Sequence, residues 1–255
     1  MSQALETITS AQNPAIKAIR ALELKKNRQD TGLFVAEGLR ALERARQAGI
    51  AADTVVSVAT PKDWGQARTI RVSEAVMARL SGQNNPTGLI GVFKQSAILS
   101  DFAPGPDDVA IALEYIRDPG NLGTIIRTAD AVSVRHVALV GETCDPFSPE
   151  AVRASMGSLF GVKLSRMTAK QFQAPLAEWP GEIVATAAQA AADYRRTYAR
   201  PTLLLMGSEG SGLSATLAAQ ANVSVRIPMS GGAESLNVAT ASALMLYEVK
   251  RSELR

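Results

Sequence analysis

A chain of 255 residues, 46% hydrophobic and 20% charged, has an ordinary globular balance and room for one large domain or two smaller ones, each with a real core. No run approaches the ~18 uncharged apolar residues that a membrane span needs, and the N-terminal stretch lacks a signal-type apolar region, which predicts a cytoplasmic protein that does not enter a membrane. The net charge of +3 arises within residues 1–50, an excess that could face phosphates or could equally be solvated helix surface.

A single cysteine, Cys144, excludes an internal disulfide and any cysteine-cluster metal site, and a single His136 leaves histidine-based zinc chemistry short of ligands. Both read as structural residues, Cys144 as a small apolar filler and His136 at a strand start, and no metal is expected.

In chain order, Asn13-Pro14 forms a cap and first-turn proline for a helix through AIKAIRALELKK, which Gly32 ends. Leu33-Phe34-Val35 is a strand candidate, and residues 37–48 (EGLRALERARQA) form an amphipathic helix stopped by Gly49. A strand at 54–58, a helix capped by Ser73 and a strand at 88–93 complete a small alternating α/β unit over residues 1–100. The stretch SDFAPGPDD, with two prolines and a glycine, reads as a linker at 101–108. Beyond it, apolar runs at 109–113, 136–140, 161–164, 183–185, 202–206 and 223–227 alternate with helical patterns. This predicts a mainly parallel sheet covered by helices over 109–255, with ligands gathering at loops beyond the strand C-termini.

Three of those loops are rich in glycine and polar residues. The first, DPGNLGTIIRTA (118–129), follows the strand VAIALE, with Asn121 placed to cap the next helix and Arg127 about two turns inside it. An arginine there is a natural phosphate ligand, since its fork donates two parallel hydrogen bonds, although a plain helix-surface arginine would read the same way. In the second, GSEGSGLS (207–214), three glycines surround Glu209. It matches neither the phosphate loop, nor the G-x-G-x-x-G fingerprint, nor the nucleophile elbow. The third, IPMSGGAESLNVAT (227–240), lies between the strand VSVRI and a final apolar helix whose buried face is expected to include Val238, Leu244 and Tyr247.

The set NLGTIIRTA, MGSEGSGLS and IPMSGGAESLNVATA resembles the three motifs of the SpoU or TrmH class of RNA ribose 2′-O-methyltransferases, within the SPOUT superfamily. The likeness covers essentially the whole chain, because LFVAEGLRALERARQAG resembles the family's accessory RNA-binding domain and DPF through VRASMG resembles a stretch common in ribosomal-RNA members. Ala239-Thr240, where members often carry serine then valine, is a conservative departure.

The resemblance implies a C-terminal SPOUT domain with a parallel sheet and a deep trefoil knot, preceded by a small α/β domain like a ribosomal protein. It implies S-adenosylmethionine as cofactor, bound by Gly207, Ile227, Met229, Ser235 and Leu236, and a catalytic side formed by Asn121, Arg127, Glu209, Ser235 and Asn237. A homodimer acting on structured RNA is implied as well, with the last helix a candidate interface and ribosomal RNA favoured over transfer RNA as substrate. A catalytically silent RNA-binding or ribosome-assembly factor of the same fold is the alternative from another class.

Overall fold

The computed structural model describes residues 6–59, 63–81, 83, 85–208 and 210–254. Its contacts divide the chain into two compact units, one running to Ile98 and including Asp145–Gly161, the other made of Leu99–Cys144 and the chain from Val162 onward.

The first unit runs β1 (Thr7–Ile8), α1 (Pro14–Ala21), α2 (Lys25–Thr31), β2 (Leu33–Glu37), α3 (Leu39–Gln47), β3 (Thr54–Ser57), β4 (Arg68–Val72), α4 (Glu74–Ser81) and β5 (Leu89–Lys94). Its five strands form a mixed sheet in the order β1-β4-β3-β5-β2. One face is covered by Ile16 and Ile19 of α1 and by Val76, Met77 and Leu80 of α4, packed on Val56, Ile70, Val72, Ile90 and Val92. The helix expected to run on from Asn13 is two helices. Arg28 is the physical reason: its Nη1 donates to the carbonyls of Leu22 and Glu23 at 2.7 and 2.8 Å, satisfying groups that a continuous helix would have bonded internally.

The second unit runs β6 (Val109–Glu114), α5 (Pro119–Ala131) and β7 (His136–Val140); after α6 (Pro149–Ala154), which belongs to the first unit, it resumes with β8 (Lys163–Met167), α7 (Ala169–Ala177), β9 (Glu182–Thr186), β10 (Ala192–Asp193), β11 (Thr202–Met206), α8 (Ala215–Ala218), β12 (Val223–Arg226) and α9 (Val238–Val249). The strands form one seven-stranded sheet, β10-β12-β9-β11-β6-β7-β8, and every pair is parallel. This is the α/β architecture with a parallel sheet expected from the alternation of apolar runs. From β6 the chain winds outward through β7 and β8, then returns to the other side, where β11 settles against β6. Such a reversal opens a crevice at the strand C-termini, here between the loops that follow β6 and β11.

Two stretches pack differently from their sequence reading. Residues 101–108, read as a linker, belong to the second unit: Phe102 stacks on Trp179 with ring centroids 6.2 Å apart, and Leu99 just before them pairs with Leu164. Residues 145–161 pack into the first unit, where Phe147 and Phe160 meet Phe34 at 4.9 and 6.0 Å. There the Asp145 carboxylate takes Arg28 Nε and Nη2 at 2.9 and 2.8 Å, a buried pair whose desolvation is offset by those bonds and by Phe147 N on its other oxygen at 3.0 Å.

Candidate active site

The first site loop begins where β6 ends. Asp118, and not Asn121, caps α5: its Oδ1 accepts from Asn121 N at 2.6 Å, and Pro119 takes the first helical position, where a missing N–H costs nothing. The Asn121 side chain is thereby not the cap, and its Oδ1 accepts from Asn237 Nδ2 at 3.0 Å. Asn237 in turn caps α9, its Oδ1 accepting from Ala239 N and Thr240 N at 2.9 and 3.3 Å. This bond joins the first and third loops side chain to side chain. Leu122, Ile125, Ile126 and Ala129 bury the inner face of α5, and Arg127 stands on the exposed outer face.

The second loop folds tightly on itself. Gly212 N donates to Ser208 O at 2.9 Å, and the hydroxyls of Ser208 and Ser211 bond at 2.8 Å. A Cβ on Gly207 would lie 2.1 Å from the carbonyl carbon of Gly212, so the backbones cross too closely for any side chain. The loop ends at Ser214, whose Oγ accepts from Leu217 N at 3.3 Å and caps α8. Ser214 N donates to Oε2 of Glu114 at 2.7 Å; Glu114 is the last residue of β6 and only 1% exposed. Glu209 lies outside the described residues.

Between the second and third loops lies a cleft of about 450 Å³, and Gly207, Ile227, Met229, Ser235 and Leu236 all line it. Sequence reasoning missed Thr186, Ala187 and Ala188, which follow or end β9 and form part of the same wall. Their signal was positional: the C-terminus of a parallel strand beside β11 belongs to the crevice. Met206, Leu213, Val225, Ile227 and Leu236 give apolar surface for a flat aromatic group, while the hydroxyls of Thr186, Ser208, Ser211 and Ser224 supply polar contacts. The volume falls in the ~300–1,000 Å³ range of small-molecule sites, and the lining suits an adenosine joined to an amino-acid tail. Among the described residues no group of acidic, histidine or cysteine side chains could hold a metal ion, and no helix is long and apolar enough to cross a membrane. A larger cleft, about 580 Å³, lies in the first unit between α1, α3, α4 and α6 and contains none of the expected site residues.

The sequence profile of the SpoU rRNA Methylase family matches residues 108–247. The chain belongs to that family. The first unit carries a match of its own, over residues 13–91, to the MRM3-like substrate binding domain. Among solved structures, the AdoMet-bound rRNA methyltransferase from Sinorhizobium meliloti superposes with a TM-score of 0.89 at 38% identity, covering 98% of this chain and 99% of that one. The 23S rRNA (guanosine(2553)-2′-O)-methyltransferase RlmP of Bacillus subtilis is 29% identical over 96% of this chain and 100% of its own length. The tRNA (guanosine(18)-2′-O)-methyltransferase of Escherichia coli K12 is 38% identical over 56% of this chain and 63% of its own length. This SpoU-family chain is an S-adenosylmethionine-dependent RNA 2′-O-methyltransferase.

Proposed function

We propose that the chain methylates a ribose 2′-hydroxyl in ribosomal RNA, working as a cytoplasmic homodimer. The observation that carries the reading is the Asn121–Asn237 bond, which joins α5, the helix bearing Arg127, to the loop whose Ile227, Ser235 and Leu236 line the cleft. Ribosomal RNA is favoured because a relative named for it matches nearly the whole chain, first unit included, whereas the transfer-RNA relative matches little more than half.

Gly207, Ile227, Met229, Ser235 and Leu236 hold the cofactor in this reading, largely through backbone groups of the second and third loops. When bound, S-adenosylmethionine supplies a methyl group already activated on a sulfonium. A ribose hydroxyl is a poor nucleophile at neutral pH, so the protein's task is to align it and to stabilise the oxyanion that forms; alignment alone can contribute several kcal/mol. Arg127, exposed on α5, binds the phosphate beside the target ribose and stabilises the developing alkoxide. Asn121 and Glu209 position Arg127 and the ribose, and Ser235 and Asn237 bond substrate or loop backbone. The knot that the family likeness implies would thread the C-terminal chain through these loops, consistent with the close crossing at Gly207 and with α9 packing on both α5 and β11.

The dimer reading rests on α9. Leu244 and Tyr247 were expected to be buried; they are 37% and 51% exposed, while Val238, Ala239, Ser242, Met245, Leu246 and Val249 face inward. Exposed apolar side chains one turn apart on α9 suit a second copy of the chain.

Mapping ribose methylation across ribosomal and transfer RNA from cells with and without the gene tests the substrate. Loss of one 2′-O-methyl site in ribosomal RNA is expected. Loss of a site in transfer RNA alone would replace the substrate, and an unchanged map in both would remove the proposal.

A further inference from the structure

We propose that Glu114 is a positioning residue, whose carboxylate ties the strand leading to α5, the helix that carries Asn121 and Arg127, to the loop that walls the cofactor cleft. The inference rests on reading residues 207–214 as a cofactor wall.

Glu114 shares its face of the sheet with Ala110 and Ala112, which pack among Leu203, Leu205 and Leu217. In such surroundings a carboxylate is costly to bury, and a leucine or methionine would fill the space without that cost. Packing therefore does not explain the residue; its bond does. The backbone ladder between β6 and β11 ends at the pair Leu113–Met206. One residue further on, the Glu114 side chain spans the gap the ladder leaves, with Oε2 accepting from Ser214 N at 2.7 Å. Its other oxygen, Oε1, is buried with no hydrogen-bond partner, so among the described residues this one bond is the whole hold of the side chain.

Ser214 is well chosen as the point of attachment. It closes the second loop and begins α8, so holding its amide sets where the loop leaves the crossing at Gly207 and Gly212. At the other end, Glu114 lies four residues before Asp118, the cap of α5, from which Asn121 and Arg127 project. A single carboxylate thus sets the spacing between the cofactor wall and the side chains assigned to the ribose. The loop's internal contacts, the Ser208–Gly212 pairing and the Ser208–Ser211 hydroxyl bond, fix its shape; they do not fix its place.

The test uses the full chain and titration calorimetry with S-adenosylmethionine itself, with kcat and KM on ribosomal RNA measured alongside. Glu114→Gln keeps an acceptor oxygen and should bind the cofactor within about threefold of wild type, whereas Glu114→Ala should lose at least about tenfold, the scale of one buried bond to a charged group. Ser214→Pro attacks the same bond from the other side: Ser214 has φ −61°, which proline adopts, and the N–H is removed while Glu114 stays in place; Ser214→Ala, which loses only the hydroxyl that caps α8, separates the two effects and should bind the cofactor like wild type. Ser214→Pro too should lose at least about tenfold in cofactor affinity. In both weakened variants KM for the RNA should stay unchanged while kcat falls, a split that general destabilisation would not give. If Glu114→Ala does not fold, Ser214→Pro decides. Wild-type affinity in either weakened variant, or a Glu114→Gln chain as impaired as Glu114→Ala, would overturn the proposal. A wild-type chain that binds cofactor and leaves ribosomal RNA unmethylated would overturn the substrate reading and leave this one standing.

Discussion

Asn237 donates from Nδ2 to Asn121 Oδ1 at 3.0 Å while its own Oδ1 caps α9, so one amide both starts a helix and joins two site loops 116 residues apart. The two duties are separable by substitution. Asn237→Asp keeps the capping oxygen and loses the donor, and should melt close to wild type while losing most methyl transfer. Asn237→Ala loses both and should also be destabilised by about 0.5–2 kcal/mol, the usual cost of a lost cap. Thermal melts paired with initial rates separate the two; an active Asn237→Asp enzyme would show that the Asn121 contact is dispensable.

Gly207 admits no side chain, because a Cβ would sit 2.1 Å from Gly212 backbone. Gly207→Ala must therefore push the second loop open and deform the cleft wall. Calorimetry should register loss of S-adenosylmethionine binding, with circular dichroism close to wild type because the displaced segment lies outside the strands and helices.

Arg127→Lys keeps a positive charge and gives up the planar fork. Part of the RNA affinity should survive in filter-binding assays, while turnover falls by about 10²-fold, the scale of losing one donor to a developing oxyanion. Near-wild-type methylation by this variant would remove Arg127 from its assigned role.

Leu244→Glu or Tyr247→Glu places a charge on the exposed apolar stripe of α9. Sedimentation velocity should then show a monomer where the wild-type chain sediments as a dimer. Each substitution should leave the melting temperature of the separated chain nearly unchanged, since neither side chain is in the core.

His136 is buried at the start of β7, with Asp108 Oδ2 3.5 Å from Nε2 and with Nδ1 unpartnered among the described residues. Burial, the largest influence, lowers its pKa below 6.5, Lys163 and Arg135 lower it further, and Asp108 opposes them. The unfolded chain thus takes up a proton before the folded one does, and the stability held above the unfolded pKa is lost as pH falls through the folded value. Melting temperature should decline on acidification below about pH 6.5, the unperturbed imidazole pKa, and His136→Phe should flatten that decline.

Much of this architecture was legible because parallel strands buried on both faces read as continuous apolar runs, as in TLLLM and HVALV. The five residues that the family resemblance assigned to a cofactor line one cleft. What escaped depended on partners distant in sequence. Nothing near Arg28 announces that it will take the carbonyls of Leu22 and Glu23 and also bind Asp145, 117 residues away. Two-residue strands such as β10 exist only because a neighbour, β12, offers a free edge. The helix α9, VATASALMLYEV, carries apolar residues on every side, so periodicity could not say that Leu244 and Tyr247 face outward. Asn121 was read as the cap of α5 because asparagine suits that place; Asp118 before Pro119 suits it better, and the amide was left for Asn237.

The most direct test of the central claim is to incubate the purified chain with methyl-labelled S-adenosylmethionine and ribosomal RNA from cells lacking the gene, digest the RNA to nucleosides and locate the label. Label is expected in a single 2′-O-methyl nucleoside, and it should be lost in Arg127→Lys. Label on a base, or no label in RNA while the cofactor is bound, would contradict that claim.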